Sequence, residues 1–126
     1  MKISPWLLLG FVATGCTSDD PPPTLEEIQL EVFNKSCGFS SCHNGESYLL
    51  DLSTITASAA MVDQESARAP NEIFVIPGDP DNSYLIKKLE GEESIIDEAM
   101  PPPAGGLEES KIAMVRDWIA AGALSD

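Results

Sequence analysis

Two cysteines and the only histidine of the chain lie within seven residues, in the stretch "CGFSSCH" that begins at Cys37. Cys42 comes directly before His43, so the spacing is C-x4-C-H. Two thiols can add across the two vinyl groups of one porphyrin, and a histidine beside the second thiol can reach the iron. In an exported protein this combination indicates covalent haem attachment, whose usual spacing is C-x-x-C-H. We therefore predict one covalent haem c, with Cys37 and Cys42 as its thioether anchors and His43 as the proximal iron ligand.

The two residues in excess of the usual spacing must form a bulge between the anchors. Gly38, Ser40 and Ser41 are residue types that suit such a loop. Gly45 allows the chain to turn away after His43. The adjacency of Cys42 and His43, which sets iron coordination, is intact.

The same two cysteines allow other interpretations. A Cys37–Cys42 disulfide would be stable in an oxidising compartment and would not need the histidine. Structural zinc usually takes four Cys or His ligands, and the sequence has no second Cys/His pair. A redox-active dithiol normally has C-x-x-C spacing near a βαβ pattern, which this sequence lacks. The disulfide is the main alternative, and it would make the chain an interaction or structural module of the cell envelope.

A haem iron bound by His43 needs a second ligand or an open face, and no other histidine is present. Methionine is a usual second ligand in electron-carrying cytochromes c, because its thioether raises the reduction potential. Met61 and Met114 lie within predicted helices, where a methionine more often fills the core. Met100 precedes three prolines, which restrict the backbone just after the thioether. We predict Met100 as the distal iron ligand.

The first sixteen residues have the layout of an export signal. Lys2 is a positive n-region, and residues 6–13 form an apolar stretch well short of the roughly 20 residues that span a membrane. The following Ala-Thr-Gly-Cys sequence resembles a bacterial lipobox, in which the cysteine is lipidated and becomes the first residue of the mature protein. We predict a signal peptide at residues 1–15, lipidation of Cys16, and a proline-rich tether at residues 16–24.

The charge of the chain limits its partners. Asp and Glu number 21 against 7 Lys and Arg, which gives a formal net charge of −14, and loss of Lys2 with the signal would make it −15. Such an acidic protein is not expected to bind nucleic acid or anionic lipid headgroups. The charge is compatible with a basic partner protein.

Hydrophobic periodicity predicts a mostly α-helical single domain at residues 25–126. Thr24 and Glu27 form a capping-box pattern before a helix from about Leu25 to Asn34. The clearest helix is predicted in "LEESKIAMVRDWIAAGA", which carries a wide apolar face and ends at Gly122.

Three elements are predicted between these two helices. A short helix of small residues should begin at a cap on Ser53 and end at about Val62. Ile73 to Ile76 should be extended. A third helix should begin at a cap on Asp79 and stop at Gly91.

The motifs "CGFSSCHNG", "LDLS", "VIPGDPDNSYLIKKLEG", "MPPPAGGL" and "IAMVRDWIAAGA" follow one another in this order. With them the chain resembles the small cytochrome c-like domains of exported bacterial lipoproteins, including the planctomycete-type cytochrome c group, over about residues 28–123. The resemblance implies a cytochrome c-like single domain whose N- and C-terminal helices pack around the haem, with the segment from Pro77 to Leu89 as part of its wall. The resemblance implies Cys37 and Cys42 as the thioether anchors, His43 as the proximal ligand and Met100 as the distal ligand.

These features predict an electron-transfer protein rather than an enzyme. An iron with both His and Met ligands has no open position for a substrate, and the sequence shows no catalytic triad or nucleotide-binding loop. We expect one-electron transfer at a bacterial cell envelope, on a lipid anchor that faces the periplasm or the cell surface. The expected partner is a redox protein, and the chain is either a free carrier or an accessory domain of a larger oxidoreductase.

Overall fold

The computed structural model describes residues 19–38, 42–46, 50–102 and 106–125. Helices make up its regular structure, and none of these residues belongs to a β-strand. The predicted mostly α class is confirmed at this level.

The N-terminal helical run covers three consecutive pieces. They are α1 at Leu25–Ile28, a π-helical segment at Gln29–Phe33, and α2 at Asn34–Ser36. The predicted capping box is present, because the Glu27 amide donates to the Thr24 hydroxyl and the Thr24 amide donates to the Glu27 carboxylate. The π-helical segment, which the sequence did not predict, ends where the Asn34 amide donates to the Gln29 carbonyl five residues back.

The second helical element is shorter than predicted. Helix α3 covers Ile55–Ala59, and its cap is Thr54 rather than Ser53. Thr54 accepts a hydrogen bond from the Ala57 amide. Both the amide and the hydroxyl of Ser53 donate to the Asp51 carboxylate, so Ser53 belongs to the preceding turn.

Helix α4 covers Tyr84–Glu90, so the predicted start at Asp79 is wrong. The Asp79 carboxylate accepts from the amide and the side chain of Asn82, and this turn delays the helix. The N-cap of α4 is Ser83, whose hydroxyl donates to the Asp79 carbonyl. The predicted stop at Gly91 is correct, since Gly91 has a left-handed backbone conformation at φ 70°.

Helix α5 covers Glu109–Ala120 and is the longest helix described. Its buried face carries Val115, Trp118 and Ile119, in agreement with the predicted wide apolar face. The helix contacts both α1 and α4. Gly122, at φ 113°, follows the end of the helix as predicted.

The segment predicted to be extended makes two isolated backbone bridges instead of a strand. Val75 pairs with Val62, and Ile73 pairs with Glu65. The Tyr84 and Leu85 amides donate to the carbonyls of Ile73 and Phe74, which ties the start of α4 to this segment.

One hydrophobic core joins the N-terminal helical run, α4 and α5. Its fully buried members are the side chains of Leu25, Ile28, Val32, Phe33, Met61, Val75, Ile86, Val115 and Ile119. Cys37 and Leu52 belong to the same cluster, so the core reaches the C-x4-C-H loop directly.

The predicted signal peptide at residues 1–15 and the predicted lipidation site, Cys16, lie outside the described residues. Across the described ranges, no helix combines the length and the apolar character that crossing a membrane requires.

Candidate functional site

A mostly apolar cavity of about 370 Å³ lies between the C-x4-C-H loop and helix α4. Three of the predicted site residues line it, namely Cys37, His43 and Met100. Much of its apolar wall comes from side chains on the loop, on the extended segment and on α4, namely Leu50, Leu52, Phe74, Tyr84, Leu85 and Leu89. Its volume is within the range of small-molecule and cofactor sites, about 300–1,000 Å³.

The loop between the two cysteines is closed by its own backbone. The His43 amide donates to the Cys37 carbonyl over 3.0 Å, which brings the two ends of the C-x4-C-H stretch together. The chain enters the loop from the N-terminal helix, since the Cys37 amide donates to the Phe33 carbonyl. The predicted bulge residues Ser40 and Ser41 lie outside the described part of the loop.

Residues 50–53 pack against this loop. The Cβ of an alanine at Gly38 would lie only 2.6 Å from the Leu52 carbonyl oxygen, so the approach requires glycine. Gly45 has φ 80°, which agrees with the predicted turn after His43. The Leu52 amide then donates to the His43 carbonyl over 2.9 Å.

The imidazole of His43 is oriented by a backbone acceptor. Its Nδ1 lies 2.7 Å from the carbonyl oxygen of Leu50, as a donor in the tautomer that makes this hydrogen bond. That tautomer leaves Nε2 with a lone pair for a metal ion. A histidine ligand is commonly held through its other nitrogen in this manner.

The thiol of Cys37 is buried in the core beside the loop. Burial raises its pKa to about 11, and the neighbouring Cys42 adds to the rise. Cys37 and Cys42 are not joined by a disulfide, and Cys42 is partly buried but is not among the side chains that line the cavity. The thiol of Cys37 is therefore protonated at neutral pH.

Gln29 is a buried polar residue that sequence reasoning missed. Its side-chain amide donates to the Leu52 carbonyl over 3.0 Å and to the side chain of Asn34, and its oxygen accepts from the Ser58 hydroxyl. Gln29 is the first residue of the π-helical segment, and Leu52 in turn binds the backbone of His43. The Gln29 side chain thus connects the N-terminal helix and α3 to the loop. Only its polarity within an apolar helical face could have indicated this role.

The methionines separate as the sequence predicts. Met61 is fully buried in the core and Met114 packs against the core, whereas Met100 is partly buried and lines the cavity. The Met100 amide donates to the Lys88 carbonyl on α4 over 2.8 Å.

Charged side chains line the cavity as well, and no sequence pattern predicted them there. Arg68 pairs with Asp97 at 2.8 Å, and Lys88 lies nearby on α4. Burial lowers the pKa of Lys88, while the negative charge of Asp97 opposes that shift. One face of α4 forms part of the cavity wall and carries Tyr84, Leu85, Lys88 and Leu89, a helical spacing that could have identified this wall. Residues 64–68, which also line the cavity, have no such spacing.

The described residues contain no group of three or more His, Cys, Asp and Glu side chains arranged to hold a metal ion. The nitrogen and sulfur ligands that meet at the cavity are the imidazole of His43, the thiol of Cys37 and the thioether of Met100, and the carboxylates of Glu65 and Asp97 line it as well. Comparisons with protein-family models, with characterised proteins and with solved structures find no match to this chain.

Proposed function

We propose that the protein is a one-electron carrier with a single covalently attached haem c, bound to the cell envelope by a lipid on Cys16. One observation carries the proposal: Met100, which is distant in the sequence from the C-x4-C-H motif, lines the same apolar cavity as Cys37 and His43 of that motif. The proposed roles are thioether anchors for Cys37 and Cys42, proximal ligand for His43 and distal ligand for Met100.

The cavity fits the chemistry of this group. Much of the cavity wall is apolar, which suits the faces of a porphyrin. When Nδ1 of His43 donates to the Leu50 carbonyl, Nε2 keeps the lone pair that a metal ligand needs. A thioether is the soft ligand that favours ferrous iron, and Met100 supplies it at the same cavity.

Attachment requires the thiols and no further reactant. Each S–H would add across one vinyl C=C bond of the haem, with sulfur bonded to one carbon and hydrogen to the other, so that no atom would be lost. Cys37 lies in the core at the cavity, and the bond from the His43 amide to the Cys37 carbonyl closes the loop that carries both sulfurs. When bound, haem supplies a reversible one-electron couple.

The proposal is tested with the protein produced in a bacterium that matures c-type cytochromes. The wild type should sediment with membranes, show a Soret band, and keep haem on a denaturing gel stained for peroxidase activity. The Cys37→Ser, Cys42→Ser double variant should lose the stain, because both covalent bonds are removed. Ser53→Ala is the control, since it changes a small polar side chain near the loop that is not a proposed anchor.

The opposite results have a definite meaning. A wild type without a Soret band overturns the carrier proposal. A Cys37–Cys42 disulfide found by mass spectrometry in that haem-free protein would establish the main alternative, a non-haem envelope lipoprotein. Covalent haem in the double variant would show that the anchors are assigned to the wrong residues.

A further inference from the structure

Residues 95–100, named here the Met100 segment, reach the cavity without helical structure of their own. Two of its side chains besides Met100 also line the cavity, those of Ile96 and Asp97. Because no helix fixes this segment, its position depends on the hydrogen bonds that it makes with other elements.

Helix α4 supplies most of these bonds, and one residue supplies three. The Lys88 carbonyl accepts from the Met100 amide over 2.8 Å. The Lys88 ammonium donates to the Ile96 carbonyl over 2.8 Å and also to the Glu98 carbonyl. One turn earlier on α4, the Tyr84 hydroxyl accepts from the Ile96 amide over 3.0 Å.

A second contact to the segment is weaker. The ion pair between Arg68 and Asp97 has side chains 52% and 56% exposed, and exposed pairs of this kind contribute little stability. Lys88 is a partly buried residue whose ammonium makes two bonds to backbone carbonyls of the segment, and its own carbonyl binds the Met100 amide as well. The attachment of the segment therefore depends chiefly on Lys88.

We propose that Lys88 is a positioning residue that fixes the Met100 segment against α4 and so holds the Met100 thioether at the cavity. The role at the iron rests on the proposed function. The attachment of the segment does not, since every contact involved is between residues of the chain.

The neighbouring lysine provides a matched control. Lys87 is also on α4 and also forms an ion pair, with Glu72 at 2.8 Å, but that pair does not involve the Met100 segment. Lys87→Gln and Lys88→Gln remove the same charge from adjacent positions of one helix. Lys88→Arg keeps a cation that can donate to carbonyls.

The first measurement uses the haem-loaded protein and the weak far-red band of an iron–thioether bond. Lys88→Gln should keep the covalent haem but lose most of the band and lower the midpoint potential. Lys87→Gln should keep both, and Lys88→Arg should recover part of the band. Equal bands in Lys88→Gln and the wild type, or equal losses in Lys87→Gln and Lys88→Gln, overturn the proposal.

The second measurement is amide hydrogen exchange in the haem-free protein, read at Met100 and Ile96. Lys88→Gln should accelerate exchange at both amides by about tenfold or more relative to Lys87→Gln, because the segment opens more often. Amides within α5 should be unchanged. A rise of the same size throughout α5, or no rise at Met100, overturns the proposed attachment.

The two measurements keep the proposals separate. If the wild type carries no haem, the proposed function and the role of Lys88 at the iron are both wrong. The exchange result still decides whether Lys88 holds the segment. Haem without a far-red band in the wild type overturns the role at the iron alone.

Discussion

The two proposed iron ligands differ in how the protein holds them. His43 is fixed at its backbone by Leu52 and at its ring by the Leu50 carbonyl. Within the described part of the chain, Met100 is held by one backbone bond, to Lys88, and by the contacts of its segment. We therefore expect the iron–thioether bond to be more sensitive to substitution than the iron–imidazole bond.

Met100→Ala should leave haem attached, because the covalent anchors are elsewhere. The midpoint potential should fall, since the preference of the thioether for ferrous iron is lost, and the far-red band of the oxidised protein should disappear. Met61→Leu and Met114→Leu are controls at the core positions and should keep the band at modest cost to packing, below about 1.5 kcal/mol. A band that persists in Met100→Ala and vanishes in either control would show that the distal ligand is a different methionine.

The buried thiol of Cys37 makes the haem-free protein sensitive to alkali. Its pKa is raised from 9.0 to about 11 by burial, so above pH 9 the unfolded chain loses this proton while the folded chain retains it. The contribution to stability is present below pH 9 and is lost as the pH rises towards 11, by about 2–3 kcal/mol. Denaturant unfolding at pH 8 and pH 10.5 measures this loss.

The control for this prediction is Cys37→Ala, which should lose less stability between the two pH values than the wild type does. Haem-loaded protein should resemble that variant, because a thioether sulfur has no proton to lose. Identical pH dependence in the wild type and Cys37→Ala would contradict the raised pKa.

Local signals predicted the ends of elements only where neighbouring side chains left the capping residue available. The Thr24 and Glu27 box is correct because both partners lie within one helical turn. Ser53 and Asp79 are equally good capping residues by type, but Asp51 binds Ser53, and Asn82 binds Asp79 in turns that precede the helices. Competition of this kind depends on backbone conformation, which residue types alone do not determine.

The same distinction between local patterns and tertiary contacts applies to the residues of the site. That Cys37, His43 and Met100 lie close together could be predicted, because their chemistry is unusual and their spacing is local or flanked by prolines; their roles stay predictions. The bond from Gln29 to the Leu52 carbonyl and the wall formed by residues 64–68 join parts of the chain that are distant in sequence. No periodicity records such contacts, so these contributions come from tertiary packing.

At the level of elements, the contact between the loop and residues 50–53 should tolerate no side chain at Gly38. Gly38→Ala would force the Cβ against the Leu52 backbone, and Leu52 holds His43, so stability should fall by roughly 1–3 kcal/mol. The fraction of protein that carries haem should fall as well. Denaturant unfolding and haem absorbance per polypeptide measure the two effects.

Gly78→Ala is the matched control, because Gly78 has φ 81° but open space around its Cβ position. This variant should lose about 1 kcal/mol through the backbone alone and keep its haem. Equal haem content in the Gly38 and Gly78 variants would show that the close approach at Gly38 does not position His43.

At the scale of the molecule, the basic side chains of the described residues bind groups of the chain itself. Each Lys and Arg of the described residues donates to a carboxylate or carbonyl of the chain, namely Lys35, Arg68, Lys87, Lys88, Lys111 and Arg116. Lys35 and Lys111 together lower the pKa of Glu31 through their hydrogen bonds. The carboxylates in excess therefore have little positive charge near them, and the surface that a partner meets is negative.

Electron exchange with a basic redox protein should slow as salt is added, because ions screen the attraction between the two surfaces. Between about 10 mM and 300 mM salt, where the screening length falls from roughly 30 Å to below 8 Å, we expect the bimolecular rate to fall by about an order of magnitude. Stopped-flow reduction of the haem-loaded protein measures this rate, and a neutral small-molecule reductant is the control, with a rate that should change little. If the rate with the basic protein is also independent of salt, the net charge of −14 does not direct partner encounter, and its effect is confined to keeping copies of the chain apart in solution.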